Sequence, residues 1–310
     1  MSHSSSPACK NIVKAIEKDI FVASGCAITG LRLLRAKDGI HVFKGSLDGQ
    51  RCVFKYFETT EHRREIENYR ILQRLKVPTI KTFALGEKSI AMEDIDFSHE
   101  WRLGIPEDMQ NISVAKALAN WYFMLHERGA NAPELDCLYC EYDDVNEEGV
   151  ESLCQKLPQS AETFGYIQGN FVRLRQIIDS PDLTLVYNDF YWTNLAARKD
   201  GQSAMMFDYN LLGKGYRYGD IRNVQSSLCK NAAAAFKAEY DRLYMGRHRS
   251  SRSASEMLEK RVDDVASCIF TLICAYKKES FPSWAEKSRQ QALNGELLLN
   301  AKKLLTDQLA

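Results

Sequence analysis

Three short segments rich in β-branched, aromatic and leucine residues, Ile28–Arg35, Ile40–Ser46 and Arg51–Phe57, are divided by Lys37-Asp38-Gly39 and Leu47-Asp48-Gly49. Asp-Gly between extended segments is a strong hairpin signal, because both residues tolerate the left-handed backbone of a tight turn. The stretch therefore predicts three antiparallel strands. Before them, Ile12, Val13, Ile16 and Ile20 fall at helical spacing within residues 11–24. After them, Thr59 and Thr60 offer a hydroxyl cap, and Glu61 and Glu65 suit the positive end of a helix running to Leu75, where Lys76-Val77-Pro78 stops it. Ile80–Leu85 and Ser89–Met92 flank a Gly86-Glu87-Lys88 turn, giving the order βββ, helix, ββ.

Beyond residue 100 the pattern is chiefly helical: Ile112–Glu127, a stretch near 160–179, and three long segments between 220 and 308. One β-rich island interrupts it, with brief strands at Leu183–Val186, Leu195–Arg198 and Ala204–Phe207 around two polar loops. The expected class is α+β. A small five-stranded antiparallel sheet lobe with one helix occupies residues 1–93, and a larger, mainly helical lobe occupies 94–310. A chain of 310 residues with 45% hydrophobic residues has the material for two such cores.

Composition removes several functions. Forty-one basic residues balance forty-one acidic ones, so no overall field favours nucleic acid. Val265–Tyr276, the longest uncharged apolar stretch, is far shorter than the ~20 residues that cross a bilayer and reads as a buried helix. The first ten residues lack the basic start and apolar run of a secretory signal, which makes the cytoplasm the expected compartment. Nine cysteines, several inside apolar runs, suit reduced core residues. Cys137 and Cys140 form one CxxC without a second ligand pair, which reads as an ordinary loop rather than a zinc site. Gly246–Ser255, with its arginines and serines, reads as a mobile loop or as a solvated connection between two helices.

Chemistry concentrates in the β-rich island. Val186-Tyr187-Asn188-Asp189-Phe190-Tyr191-Trp192-Thr193-Asn194 is followed by Met206-Phe207-Asp208-Tyr209-Asn210. Phosphoryl transfer from ATP needs hard oxygen ligands for magnesium, a carboxylate beside the attacking hydroxyl and a cation on the donor phosphates. Asp189, Asn194 and Asp208 supply the oxygens. Lys55, central in the apolar strand Cys52-Val53-Phe54-Lys55-Tyr56-Phe57, supplies the cation, and an ammonium there calls for a carboxylate partner. Glu61, Glu65 and Glu67 are available on the next helix. Glu67 is preferred, with Glu65 second, because Glu67 precedes Ile71, Leu72 and Leu75 at spacings that turn it toward the packed face.

In this order of signals, from Lys55 and Glu67 through Met92-Glu93-Asp94-Ile95 and Leu125-His126 to Asp189, Asn194 and Asp208, the chain resembles the aminoglycoside phosphotransferase and choline kinase superfamily over roughly residues 25–230. The resemblance implies a bilobal kinase-like fold and transfer of phosphate from ATP, with magnesium, to a hydroxyl of a small molecule, aminoglycoside-like or choline-like, cationic acceptors included. No protein, nucleic-acid or membrane partner is implied. It gives Asp189 the substrate proton, Asn194 and Asp208 the magnesium, Lys55 the phosphates with Glu67 orienting it, and the backbone around Met92, Glu93 and Ile95 the adenine. Tyr187 replaces the superfamily's usual histidine, and Asn210 stands where choline kinases carry a glutamate. The turn at Ala36-Lys37-Asp38-Gly39 lacks a glycine-rich phosphate motif. Those departures keep a second reading open, a nucleotide-binding pseudokinase with a regulatory or interaction role. A protein kinase is third, since no Asp-Phe-Gly triplet appears and no Ala-Pro-Glu segment follows Asp208.

Several residues carry milder expectations. His126 reads as a packed helix end, and Asp220, in Asp220-Ile221-Arg222-Asn223, as a brace for the catalytic loop. The acids Glu141, Asp143, Asp144, Glu147 and Glu148 read as an exposed connection, or as an attractor for a cationic acceptor if they fold over the cleft. Tyr191 and Trp192 are either core plugs or a wall for the substrate.

Overall fold

The computed structural model describes residues 7–248 and 252–306. In chain order it runs α1 (Pro7–Ser24), β1 (Ile28–Lys37), β2 (Ile40–Leu47), β3 (Gln50–Phe57), α2 (Thr60–Arg74), β4 (Thr82–Leu85), β5 (Ser89–Glu93), β6 (Trp101–Leu103), α3 (Ile112–Gly129) and α4 (Glu147–Lys156). It continues α5 (Ala161–Gly169), α6 (Phe171–Ile178), β7 (Thr184–Val186), β8 (Leu195–Arg198), β9 (Ala204–Met206), β10 (Gly213–Gly215), α7 (Arg217–Ser227), α8 (Lys230–Arg247), α9 (Arg252–Tyr276), α10 (Glu286–Leu293) and α11 (Glu296–Thr306). This is the expected α+β class, with five antiparallel strands ordered β1-β2-β3-β5-β4 and a larger helical part.

The residues divide into two compact units that interleave along the sequence. The first contains the chain up to Leu125 with Asp189–Leu212 and Gln225–Tyr240; the second contains His126–Asn188, Gly213–Val224 and the chain from Asp241 onward.

In the first unit, β1 and β2 meet at the two-residue turn Asp38-Gly39, where φ is +52° and +76°. Both central residues are left-handed, the type I′ geometry that matches strand twist. Phe43, Phe54, Cys52, Ala84 and Ala91 cover one sheet face and pack on Ile16 and Ile20 of α1. The helix also clamps the β4–β5 turn: Asp19 accepts from the amides of Glu87 and Lys88, both at 2.9 Å. A side chain at Gly86 would collide with that carboxylate. α2 takes the other face. The expected hydroxyl cap is Thr59, which accepts from the amide of His62, and Ile66, Tyr69 and Leu72 form the helix's buried stripe.

The β-rich island divides in two. β8 and β9 join β6 in a three-stranded sheet of the first unit, whereas β7 pairs with β10 in the second. β6 and β10 lie outside the sequence expectation. Gly213-Lys214-Gly215 has no strand propensity; tertiary contact imposes the pairing, and the carbonyl of Tyr139 lies 2.2 Å from where a side chain on Gly213 would begin.

The second unit is built around α9, with Val262, Val265, Ile269 and Leu272 buried among α4, α5, α6 and α11. The stretch Val265–Tyr276 is thus the buried helix expected, and among the described residues no helix is long and apolar enough to cross a membrane. Among the described residues of 217–306 there are five helices, not three; Gly295, at φ +82°, separates the last two. Gly246 and Arg247 end α8 and Arg252 begins α9, so both ends of the segment Gly246–Ser255 are helical, and its residues 249–251 lie outside the described ones. The acidic stretch is also not a plain connection. Asn146 caps α4, and Glu147 and Glu148 sit in its first turn, where negative charge favours the helix dipole. All nine cysteines are free thiols.

Candidate active site

Lys55 and its carboxylates form the centre of the site. Pairing of β3 with β2 and β5 sets Lys55 beside Val42 and Ile90, away from the face that Phe54 gives to α1. Its ammonium donates to Glu65 Oε1 and Oε2 at 2.8 and 3.0 Å and to Asp208 Oδ1 at 2.9 Å. Burial alone would lower the Lys55 pKa, but the charges of Glu65 and Asp208 outweigh it and hold the ammonium above its ordinary range. Burial pushes the Glu65 carboxyl up to about 7 against the pull of Lys55.

The preference for Glu67 is therefore corrected. Glu65 is wholly buried on the stripe that α2 turns inward, whereas Glu67 is exposed and pairs with Arg70 one turn on. The spacing from Glu67 to Ile71 is real, but Ile71 borders the stripe, and residues 67 and 70 share the solvent face. One turn after Glu65, Asn68 donates to the carbonyl of Tyr209 at 2.7 Å, and the Tyr69 ring meets Tyr209 edge-on with centroids 4.8 Å apart. Asn68 escaped the sequence reading. Its signal was available, since it lies at i+3 from Glu65 in a helix that must keep a polar edge toward the lysine.

Asp208 follows β9 and adopts a left-handed backbone, φ +65°. Its Oδ1 is shared by Lys55 and by Asn210 Nδ2 at 2.6 Å, and about a third of the side chain, 34%, remains exposed. Asn210 keeps a buried Oδ1 that accepts no hydrogen bond. Across the β8–β9 pair, the amide of Phe207 donates to the Asn194 carbonyl at 2.9 Å, tying the loop before β8 to the loop after β9.

That earlier loop carries Asp189. Asn194 Nδ2 donates to Asp189 Oδ2 at 3.0 Å. Burial, with the nearby Asp208 charge, pushes the Asp189 carboxyl up to about 6, while Asn194 pulls it down. Just upstream, in the second unit, Asp220 accepts from the amides of Tyr187 and Asn188 at 2.7 and 3.0 Å and meets His126 Nε2 at 3.1 Å. Asn188 is left-handed, φ +66°, a conformation that Asn tolerates better than most residues and that such anchoring sustains. Asp220 is thus the loop brace expected, and His126 the buried helix end. Tyr187 is fully buried and Phe190 plugs the core, whereas Tyr191 is 61% exposed and is not the core plug that one reading made of it.

At the expected hinge, Met92 and Glu93 pair with Val53 and Cys52 of β3. Asp94 turns inward to Lys44 Nζ at 3.0 Å, and Ile95 is buried.

An open pocket of about 350 Å³ lies against Lys55, Asp208 and Asn210, wholly within the first unit. Among the described residues no group of three or more His, Cys, Asp or Glu gathers as a metal site. The donors at hand are instead one carboxylate, Asp208, and amide oxygens. Asn194 spends its Nδ2 on Asp189, which leaves its oxygen for a cation, and the unsatisfied Asn210 oxygen lies beside Asp208. An all-oxygen set with one carboxylate suits magnesium, which completes its shell with phosphates and water. The residues fit the ion.

No protein-family model matches the chain, and no curated protein matches it by sequence. Solved structures do match in fold. A choline/ethanolamine kinase family protein from Mesorhizobium loti superposes with a TM-score of 0.59 at 13% identity, over 95% of this chain and 99% of the other. A choline kinase from Streptococcus pneumoniae gives 0.58 at 14%, over 92% and 98%. A spectinomycin phosphotransferase, in complex with ADP and spectinomycin, gives 0.51 at 14%, over 91% and 93%. The chain shares the fold of the aminoglycoside phosphotransferase and choline kinase superfamily.

Proposed function

We propose that this protein is a magnesium- and ATP-dependent kinase that phosphorylates a hydroxyl of a small molecule, with amino alcohols and aminoglycoside-like compounds the first acceptors to test. The observation that carries this reading is the meeting of Lys55, Glu65 and Asp208 beside an open pocket, with Asp189 and Asn194 hydrogen-bonded to each other on the neighbouring loop. Structures of the same fold that are phosphotransferases, one of them holding ADP, support it.

In this reading residues 1–93 hold the nucleotide and residues 94–310 supply the catalytic loop and the acceptor site. Backbone groups around Met92, Glu93 and Ile95 receive the adenine. Lys55, oriented by Glu65, holds the α and β phosphates. Asp189 orients the acceptor hydroxyl: as its oxygen bonds to the γ phosphorus, the bond from phosphorus to the bridging oxygen of ADP breaks and the hydroxyl proton passes to the Asp189 carboxylate. Asn194 and Asp208 would hold magnesium, which supplies charge neutralisation to the transferring phosphates. The Asp220 brace keeps the backbone before Asp189 in place, so the carboxylate needs little reorganisation during reaction.

A screen of hydroxyl acceptors for ADP release tests the proposal, with Asp189→Asn as control. Turnover on at least one acceptor, reduced about 10²-fold or more in the variant, is expected. Equal ADP release by the two proteins would sink it, as would tight nucleotide binding without turnover on any acceptor, the behaviour of a pseudokinase.

A further inference from the structure

We propose that the triphosphate is gripped by a side-chain clamp, Arg35 on β1 and Arg64 on α2, in place of a glycine-rich backbone cradle; this rests on the nucleotide reading of the pocket. Three observations carry it. A backbone cradle needs a loop of free amides around the phosphates, and the β1–β2 connection has no such loop. Lys37 and Ile40 are already paired, and Asp38-Gly39 is the whole turn.

The register of the sheet then brings a cation into the place. Leu33 pairs with Phe43 but Arg35 pairs with Val42, so β1 gains one residue on β2 and bulges at Leu34. Without the bulge Leu34 would stand opposite Val42; with it, Arg35 does. Val42 in turn pairs with Lys55. Directly paired residues project from one face, so Arg35 and Lys55 face the same side two strands apart, about 10 Å at the usual strand spacing.

α2 covers that same face. Arg64 precedes Glu65, the residue that holds Lys55, and it is half-buried. Arg35, Arg64, Lys55 and Asp208 all line the 350 Å³ pocket. Lys37 lines it as well, and its exposed 3.7 Å pair with Asp38 is too weak in water to withdraw it, so it adds to the positive wall; Asp38 and Glu61 are the acids there besides Asp208. Two guanidiniums, each able to fork onto phosphate oxygens, at the rim of a pocket whose floor is a lysine match a polyphosphate. A grip made of charge reads phosphate number rather than the base, so affinity rises from adenosine to ADP to ATP and weakens with salt.

The test is equilibrium binding of ATP, ADP, adenosine and inorganic tripolyphosphate to the full chain, wild type and Arg35→Gln/Arg64→Gln, with thermal melts confirming folding. Expected are a fall in ATP affinity of about tenfold per arginine, a smaller fall for ADP, and unchanged adenosine binding. Wild type alone provides a second measurement: from 50 to 500 mM salt its ATP affinity should drop about tenfold while adenosine is unaffected. Unchanged ATP binding in the variant, equal losses for ATP and adenosine, or a wild type that ignores tripolyphosphate would each overturn the clamp. Tripolyphosphate binding that depends on the arginines, in a protein that turns over no nucleotide, would uphold the clamp and remove the proposed activity.

Discussion

Each unit contains acids turned inward onto cations, yet the two sets differ in what they leave open. In the second unit Asp263 is wholly buried and fully occupied: its Oδ1 accepts from the Tyr142 hydroxyl at 2.9 Å and its Oδ2 from Arg222 Nε at 2.6 Å. Glu259, on the same helix, is 2% exposed and bonds Arg217 and the Tyr218 amide. In the first unit Lys55 is divided between two carboxylates, and one of them, Asp208, keeps a third of its surface on a pocket. A closed set of this kind fixes α7 to α9 and has no capacity left for a ligand. An open one holds its charges in place with part of a carboxylate exposed on a pocket, which is what a binding site requires.

The contrast breaks most sharply at the two aspartates. Asp208→Asn should lower acceptor-dependent ADP release about 10³-fold while moving the melting temperature by no more than a few degrees. Asp263→Asn should do the reverse. Two donors lose a buried charge partner, a change that costs about 3 kcal/mol in comparable settings, and turnover per folded molecule should stay within about threefold of wild type. Urea unfolding and initial rates on the same preparations check both. If Asp263→Asn lost turnover at unchanged stability, the closed set would belong to the site after all.

The sequence made the two sets unequally legible. Lys55 stood out because an ammonium inside Cys52-Val53-Phe54-Lys55-Tyr56-Phe57 has no local reason to exist, and Asp189 and Asp208 because they punctuate short apolar strands. The five strands and α2 were readable from turn chemistry and period. What stayed hidden depends on partners distant in the chain. Which glutamate meets Lys55 is decided by how α2 rolls on the sheet, and heptad-like spacing fixes that roll only to within one residue's rotation. Gly213-Lys214-Gly215 becomes a strand only because Tyr139 and β7 are there to pair with it. Asp263 and Glu259 looked like ordinary helix acids, since nothing local distinguishes them from their solvated neighbours.

Glutamates 65 and 67 offer a finer cut through the open set. Glu65→Gln removes a charge from Lys55 but leaves Asp208 in contact with it, so the ammonium survives with a poorer aim; turnover should fall about ten- to a hundredfold. Glu67→Gln touches only the exposed pair with Arg70 and should stay within about twofold in both rate and stability.

The smallest expected effect is a matter of pH, and it separates the acids within the open set. Asp189 must be ionised to take a proton, and burial together with Asp208 pushes its carboxyl up to about 6. At pH 7 most molecules are ready, and below about 6 the rate should fall about tenfold per pH unit. Stability runs the other way. Between about pH 4 and 6 the folded protein keeps a proton that the unfolded chain has released, so this group's contribution to stability is lost as pH rises through that window. Glu65 could imitate the rate limb, because its own carboxyl is pushed to about 7. Glu65→Gln removes that alternative: in this variant the limb near 6 should persist at a lower overall rate. Were the limb to vanish with Glu65, the titrating acid would be the one that aims the lysine, and Asp189 would lose its claim to the proton.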